Sequence, residues 1–174
     1  KGDQDWRFDP GFKGEIFWNQ AALEDETLKS QPLVITEGEW DAITAIQCGF
    51  IRTVSMPNGA GNLAVLDEQF DKLEGVDKII LATDGDQAGA QLQREMIRRF
   101  GKARCIVVKY PKDTKDLNEV LTRYQERGVT ETIRRAEYVP VRQLTKITEL
   151  PEVKERKIFK AAISPLFDKH ISIC

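Results

Sequence analysis

The sequence predicts an α/β domain: a parallel sheet of about four strands, with helices on both faces, a strand-rich extension before it and a linker after it. Three observations carry this. Four short apolar runs, at 33–37, 53–55, 78–83 and 105–108, alternate with four stretches of helical spacing. The first and third runs are apolar at consecutive positions, as in strands covered on both faces. The connections are short, so successive strands run parallel and cross over right-handedly.

In residues 1–30, Trp6, Phe8, Phe12, Phe17 and Trp18 alternate with Asp, Gly and Pro. This reads as short strands or a hairpin with turns at Gly11 and Gly14. Aromatics beside Arg7 and Lys13 also suit base stacking, but core packing is their commoner use. Residues 21–28 suit a short acidic helix.

Leu33-Val34-Ile35-Thr36-Glu37, bounded by Pro32 and Gly38, is the first strand. Trp40, Ile43 and Ala45-Ile46 give a helix over 40–48, stopped by Gly49. Thr53-Val54-Ser55 is the second strand. Gly59-Ala60-Gly61 follows in a turn-rich loop whose amides could face an anion. Leu63, Leu66, Phe70 and Leu73 predict a second helix, closed by Gly75. Residues 78–83 form the third strand. Ala88, Leu92, Met96 and Phe100 mark the third helix, closed by Gly101. Cys105 to Val108 is the fourth strand, and Leu117, Val120, Leu121 and Tyr124 mark the fourth helix. Beyond about 137 the pattern changes: Val139-Pro140-Val141 is extended, and 152–163 suits a charged helix.

Composition bounds the partners. The 26 basic and 28 acidic residues nearly cancel, so no excess of positive charge drives tight independent DNA binding. Cys48, Cys105 and Cys174 lack zinc-ligand spacing and His170 is the only histidine; Cys48 and Cys105, in apolar contexts, read as core residues, and the odd count suits a reducing cytoplasm. No apolar run approaches the ~20 residues that span a bilayer, and no signal peptide opens the chain. A start at Lys1 without methionine and an end at Cys174 suggest a piece of a longer protein.

The chemistry lies at the strand ends. Glu37 closes the first strand, Asp84 and Asp86 follow the third, and Asp116 follows the fourth. In a parallel sheet these ends open on one side, where such folds place ligands. Carboxylates held together repel, and a hard divalent cation relieves the repulsion. Such a site can stabilise the attacking and leaving oxygens of phosphoryl transfer. Each acid also has a plain structural role. Asp86 can cap the third helix, Asp116 stands at capping-box spacing from Glu119, and Glu39 and Asp41 can serve a helix dipole.

Three segments, Thr36-Glu37-Gly38-Glu39-Trp40-Asp41, Asp84-Gly85-Asp86-Gln87-Ala88-Gly89 and Lys115-Asp116-Leu117-Asn118-Glu119, together resemble the toprim domain. That domain is shared by bacterial-type primases, type IA and II topoisomerases and some nucleases. The set is most similar to phage-type primase–helicases and their mitochondrial relatives, over about 32–127. The resemblance implies a Rossmann-like toprim fold at 32–136, the end of a preceding primase subdomain at 1–31, and a linker with the start of a helicase-like domain at 137–174. It implies Glu37, Asp84 and Asp86 as catalytic residues and adds Asp116 to them as ligands of magnesium, with manganese as an alternative. Glu39 ranks below Glu37, because the motif sets its key glutamate directly before Gly38. Asp41, Lys115, Gly59 and Gly61 fall to substrate or phosphate binding.

The implied activity is nucleotidyl transfer by a DNA primase, making RNA primers on single-stranded DNA from nucleoside triphosphates. Adjacent zinc-binding and RecA-like helicase domains are the implied neighbours, in the cytoplasm of a bacterial or phage-infected cell. The fragment alone is expected to be inactive or weak, since it holds no Walker motif and no zinc module. Two other readings remain: a toprim nuclease or topoisomerase-like DNA-cleaving domain, and a non-catalytic toprim scaffold in a replicative helicase. Tyr110, Tyr124 and Tyr138 have no context that marks a nucleophile.

Overall fold

In the computed structural model each strand alternates its side chains between two faces, and this sorts the core into two layers. The strands are β1 (Leu33–Thr36), β2 (Thr53–Ser55), β3 (Ile79–Ala82), β4 (Cys105–Val107) and β5 (Glu137–Tyr138). The helices are α1 (Gln20–Glu24), α2 (Glu39–Gln47), α3 (Ala64–Glu68), α4 (Phe70–Glu74), α5 (Gln87–Phe100) and α6 (Leu117–Arg134). The structure describes residues 11, 13–61 and 63–141, all within one unit that ends at Val141. The expected helix over 152–163, the aromatics Trp6, Phe8 and Phe12, and Cys174 and His170 lie outside them.

The sheet order is β2-β1-β3-β4-β5. The first four strands are parallel, with Val34 beside Thr53, Ile35 beside Leu81 and Ile80 beside Ile106. Leu33, Ile35, Ile79, Leu81 and Cys105 pack one face against Val65, Leu66 and Leu73 of α3 and α4 and Leu92, Met96 and Phe100 of α5. Val34, Ile80, Ala82, Ile106 and Val108 pack the other face against Ala45 of α2 and Leu117, Val120, Val129 and Ile133 of α6. The sheet is thus covered on both sides, as the apolar runs predict. Each fully buried Leu or Ile contributes about 1.5–3 kcal/mol.

The differences from expectation have local causes. A fifth strand joins the sheet: β5 pairs antiparallel with β4, with Ile106 beside Tyr138. Glu137 and Tyr138 are both exposed, so no apolar pattern announces them. The second helix is two short ones, α3 and α4, broken at Gln69 (φ −100°, ψ 12°). The Gln69 side chain is buried; its Nε2 donates to the Glu15 carbonyl at 2.8 Å and its Oε1 accepts from Gln20 Nε2 at 2.7 Å. The acidic helix at 21–28 is α1 followed by a 3-10 turn, because Asp25 is extended and its carboxylate caps Thr27.

Among the described residues before β1, strand structure is a single bridge between Trp18 and Ser55. Asn19 then turns the chain through the left-handed region (φ 58°) into α1, and Phe17 enters the core. The fourth helix continues past Tyr124: Gln125 (φ 58°, ψ −172°) interrupts it, and the second segment runs to Arg134. Among the described residues no helix is long and apolar enough to cross a membrane.

Candidate functional site

The C-terminal ends of β1, β3 and β4 bring the expected acids to one edge of the sheet. After β1 the Thr36 hydroxyl donates to the Gly38 carbonyl at 3.0 Å, which folds the strand tip over. Glu37, on that turn, accepts from the backbone N–H of Asp84 at 3.3 Å and from that of Ala60. Its carboxyl is raised above the usual range, first by burial and then by the Asp86 charge among the causes that raise it. Gly59, in the 3-10 turn Gly59–Gly61, stands against the Glu37 side chain. This turn therefore supports the glutamate; Gly61 has open space around it.

Asp41, in the first turn of α2, is 8% exposed. Its Oδ1 accepts from the Asn118 N–H at 3.0 Å, and it takes a second bond from the Leu117 N–H. Burial, with the charges of Asp116 and Glu37, raises its carboxyl to about 6. Asp41 thus ties α2 to the start of α6.

Asp84 is half-buried beyond β3. Burial comes first, followed by the charges of Glu37, Asp41, Asp116 and Asp86, and together they push its carboxyl to about 7. Four carboxylates acting on a fifth is the arrangement a cation relieves.

Asp86 and Asp116 face differently. Each is an N-cap: Asp86 Oδ1 accepts from Gly89 N–H at 2.9 Å, and Asp116 Oδ1 from Glu119 N–H at 2.6 Å. Glu119 reaches back to the N–H of Lys115 at 3.0 Å, one residue earlier than in a capping box. The two cap loops are joined by the Gly85 N–H, which donates to the Lys115 carbonyl at 2.6 Å. A Cβ on Gly85 would meet the Lys115 backbone at 3.3 Å, and one on Gly89 would overlap the Asp84 carbonyl. Lys115 is exposed, and its charge reaches Glu37. An open cleft of about 450 Å³ lies beside Asp116, lined by Asp113, Asn118, Glu119, Thr122 and Arg123.

Among the described residues no three carboxylate, imidazole or thiol groups are gathered closely enough to hold a metal ion in a protein cage. A magnesium ion needs less. One or two carboxylates suffice, with water and phosphate at the remaining positions. Glu37 and Asp84 offer hard oxygen donors, and Asp84 carries the electrostatic strain that such an ion removes. The set fits a hydrated hard cation.

Three groups at this edge carry no motif signal of their own: the Ala60 amide on Glu37, the Leu117 amide on Asp41, and Tyr110. Tyr110 lies three residues beyond β4, and its hydroxyl is buried without a hydrogen-bond partner. Its place after a strand end, like that of the acids, is the one sequence signal that could have found it.

The chain has relatives among known proteins. Residues 34–121 match the Toprim-like family model. The chain is 34% identical to the Primase homolog protein of Arabidopsis thaliana over 138 residues, 68% of this chain and 41% of that protein. It is 34% identical to the Arabidopsis Twinkle homolog protein, chloroplastic/mitochondrial, over 137 residues, 67% of this chain and 19% of that protein. The chain therefore spans well under half of either relative. Among solved structures it is similar to that of the bacteriophage T7 lagging-strand DNA polymerase interacting with primase domains of two gp4 subunits bound to an RNA/DNA hybrid and dTTP. There the TM-score is 0.56 at 25% identity, over 62% of this chain and 56% of that one. With half of its length matched by the family model and its acids at the strand ends that the motifs predict, the chain belongs to the Toprim-like family, on the side of the primases and primase–helicases.

Proposed function

We propose that the chain is the toprim catalytic domain of a DNA primase or primase–helicase, which makes RNA primers on single-stranded DNA by magnesium-dependent nucleotidyl transfer. The observation that carries this reading is the gathering of Glu37, Asp41, Asp84, Asp86 and Asp116 just beyond the ends of the parallel strands β1, β3 and β4, where Glu37 meets Asp84 and Asp41 meets Asn118. Burial and these neighbouring acids raise the Asp84 carboxyl. A domain whose only task was to link others would gain nothing from such a cluster. The similarity to a primase structure that holds an RNA/DNA hybrid and dTTP supports the same class of partners.

In this reading Glu37 and Asp84 would hold a hydrated magnesium ion, and Asp86 and Asp116, which cap α5 and α6, would add their charge beside it. When bound, such an ion would supply charge neutralisation at the reacting phosphate. The protein's own part is to place the oxygens. The Asp84 and Ala60 amides orient Glu37, and Asp41 fixes α2 against α6. Lys115 supplies an exposed positive charge for the phosphates, with Gly59 and Gly61 in the neighbouring turn. Residues 1–31 and 137–174 belong, on this reading, to the end of a primase subdomain and to the approach to a helicase domain.

The test is primer synthesis by the parent protein on single-stranded DNA with nucleoside triphosphates and magnesium. Asp84→Ala is expected to lower the rate by about 100-fold or more, the scale on which electrostatic groups at a reacting centre act. Undiminished priming by that variant would overturn the reading. A non-catalytic scaffold is kept as a second reading by one observation: among the described residues no three acids stand as a ready metal cage. It is favoured if magnesium leaves the melting temperature unchanged.

A further inference from the structure

Tyr110 divides its side chain between two environments. The ring packs against the apolar layer under α2 and α6, with Val34, Ala82 and Leu117 among that layer's members. The hydroxyl is sealed from solvent and meets no acceptor. A buried hydroxyl without a partner bears the full cost of leaving water, and native proteins rarely leave one so. Phenylalanine would fill the same apolar space without that cost, so packing does not explain the oxygen.

The surroundings of the hydroxyl suggest its use. The charges that act on it are those of Asp41, Asp84, Asp116 and Glu37, and with burial they hold it well above its ordinary titration range. It is therefore a neutral O–H donor within the field of these acids, three residues beyond the end of β4, with none of them in hydrogen-bond reach. The acids cannot donate to one another once all are ionised. A cation that gathers the carboxylates would fix where their oxygens point, and a neutral donor behind them would then gain the stronger hydrogen bond that charged acceptors make. The same neutrality argues against a nucleophilic role.

We propose that Tyr110 is a positioning residue of the acidic site: when the site takes up a divalent cation, its hydroxyl donates to the Asp41 or Asp84 carboxylate, directly or through one water, and fixes which carboxylate oxygens face outward. This rests on reading the acids as a cation site. It assigns the tyrosine to the support of the ligands, as partners behind a metal site commonly act.

The test compares the chain with its Tyr110→Phe variant. Magnesium binding is measured by calorimetry, and the tyrosine Fermi doublet is followed by ultraviolet Raman spectroscopy. The chain has three tyrosines, so the difference spectrum isolates Tyr110. Without cation, the variant is expected to melt at the same temperature or higher, since it loses only an unpaired hydroxyl. With magnesium, its affinity is expected to fall about five-fold, equivalent to about 1 kcal/mol. The doublet of Tyr110 is expected to move to the hydrogen-bond-donor ratio as magnesium is added. Equal affinity in the two proteins, or a doublet that does not respond to magnesium, overturns the role of Tyr110 alone. Absence of magnesium binding in both overturns it together with the cation site.

Discussion

Asp84 and the pair Asp86 and Asp116 lie within one edge of one sheet, yet the structure treats them in opposite ways. Asp86 and Asp116 each accept a helix amide and complete the ends of α5 and α6. Asp84 sits deeper, among four other acids, and its carboxyl is raised to about 7. The same residue type therefore stabilises the fold at two positions and strains it at the third. Acids that cap helices explain themselves; an acid that costs stability points to a ligand.

The largest expected effect comes from breaking both kinds of acid at once. Gly89 donates its amide to Asp86, and a side chain there would overlap the Asp84 carbonyl. Gly89→Ala is expected to cost roughly 3 kcal/mol or more, on the scale of severe steric changes in a core. Chemical denaturation measures it, and a variant as stable as the parent would show that the loop yields.

Asp84→Asn should act in the other direction. The folded carboxyl keeps its proton up to about pH 7, whereas the unfolded one releases it near pH 4. The folded state therefore binds more protons between these values, and stability falls as pH rises through that window. Without cation, the variant is expected to be more stable than the parent above pH 7, by on the order of 2 kcal/mol after allowance for solvent screening. The gain should vanish below about pH 4. Melting curves across this range would show it, and a gain independent of pH would assign it to another cause.

The capping acids should behave oppositely again. Asp116→Ala is expected to cost about 1 kcal/mol at neutral pH, with Asp86→Ala close to it. That corresponds to a few degrees in melting temperature for a domain of this size. If either variant is instead stabilised, as Asp84→Asn is expected to be, the contrast between the acids fails. Gly85→Ala is the smallest change. A contact of 3.3 Å with the Lys115 backbone requires a shift of tenths of an ångström, so stability should fall by about 1 kcal/mol or less. Magnesium affinity should fall with it, because the loops of Asp84 and Asp116 would move apart.

Much of this was legible in the chain because it is local. The capping roles of Asp86 and Asp116 follow from spacings of three residues, and both caps form. The alternation of strands and helices follows from apolar periodicity, and β1 to β4 pair in parallel as it implies. The break at Gln69 was hidden, since its cause is the distant Glu15 carbonyl and Gln20 side chain. So was β5, whose exposed residues have no apolar alternation to reveal them.

By itself the sequence determined which residues could meet: acids placed at successive strand ends of a parallel sheet must open on one side. The tertiary structure alone decided how they divide the work. Asp41 reaches Asn118 across 77 residues, and Asp84 reaches Glu37 across 47. Burial and the field of the other acids then separate a strained Asp84 from capped neighbours. Those quantities depend on depth and distance, which a linear spacing of residues does not contain.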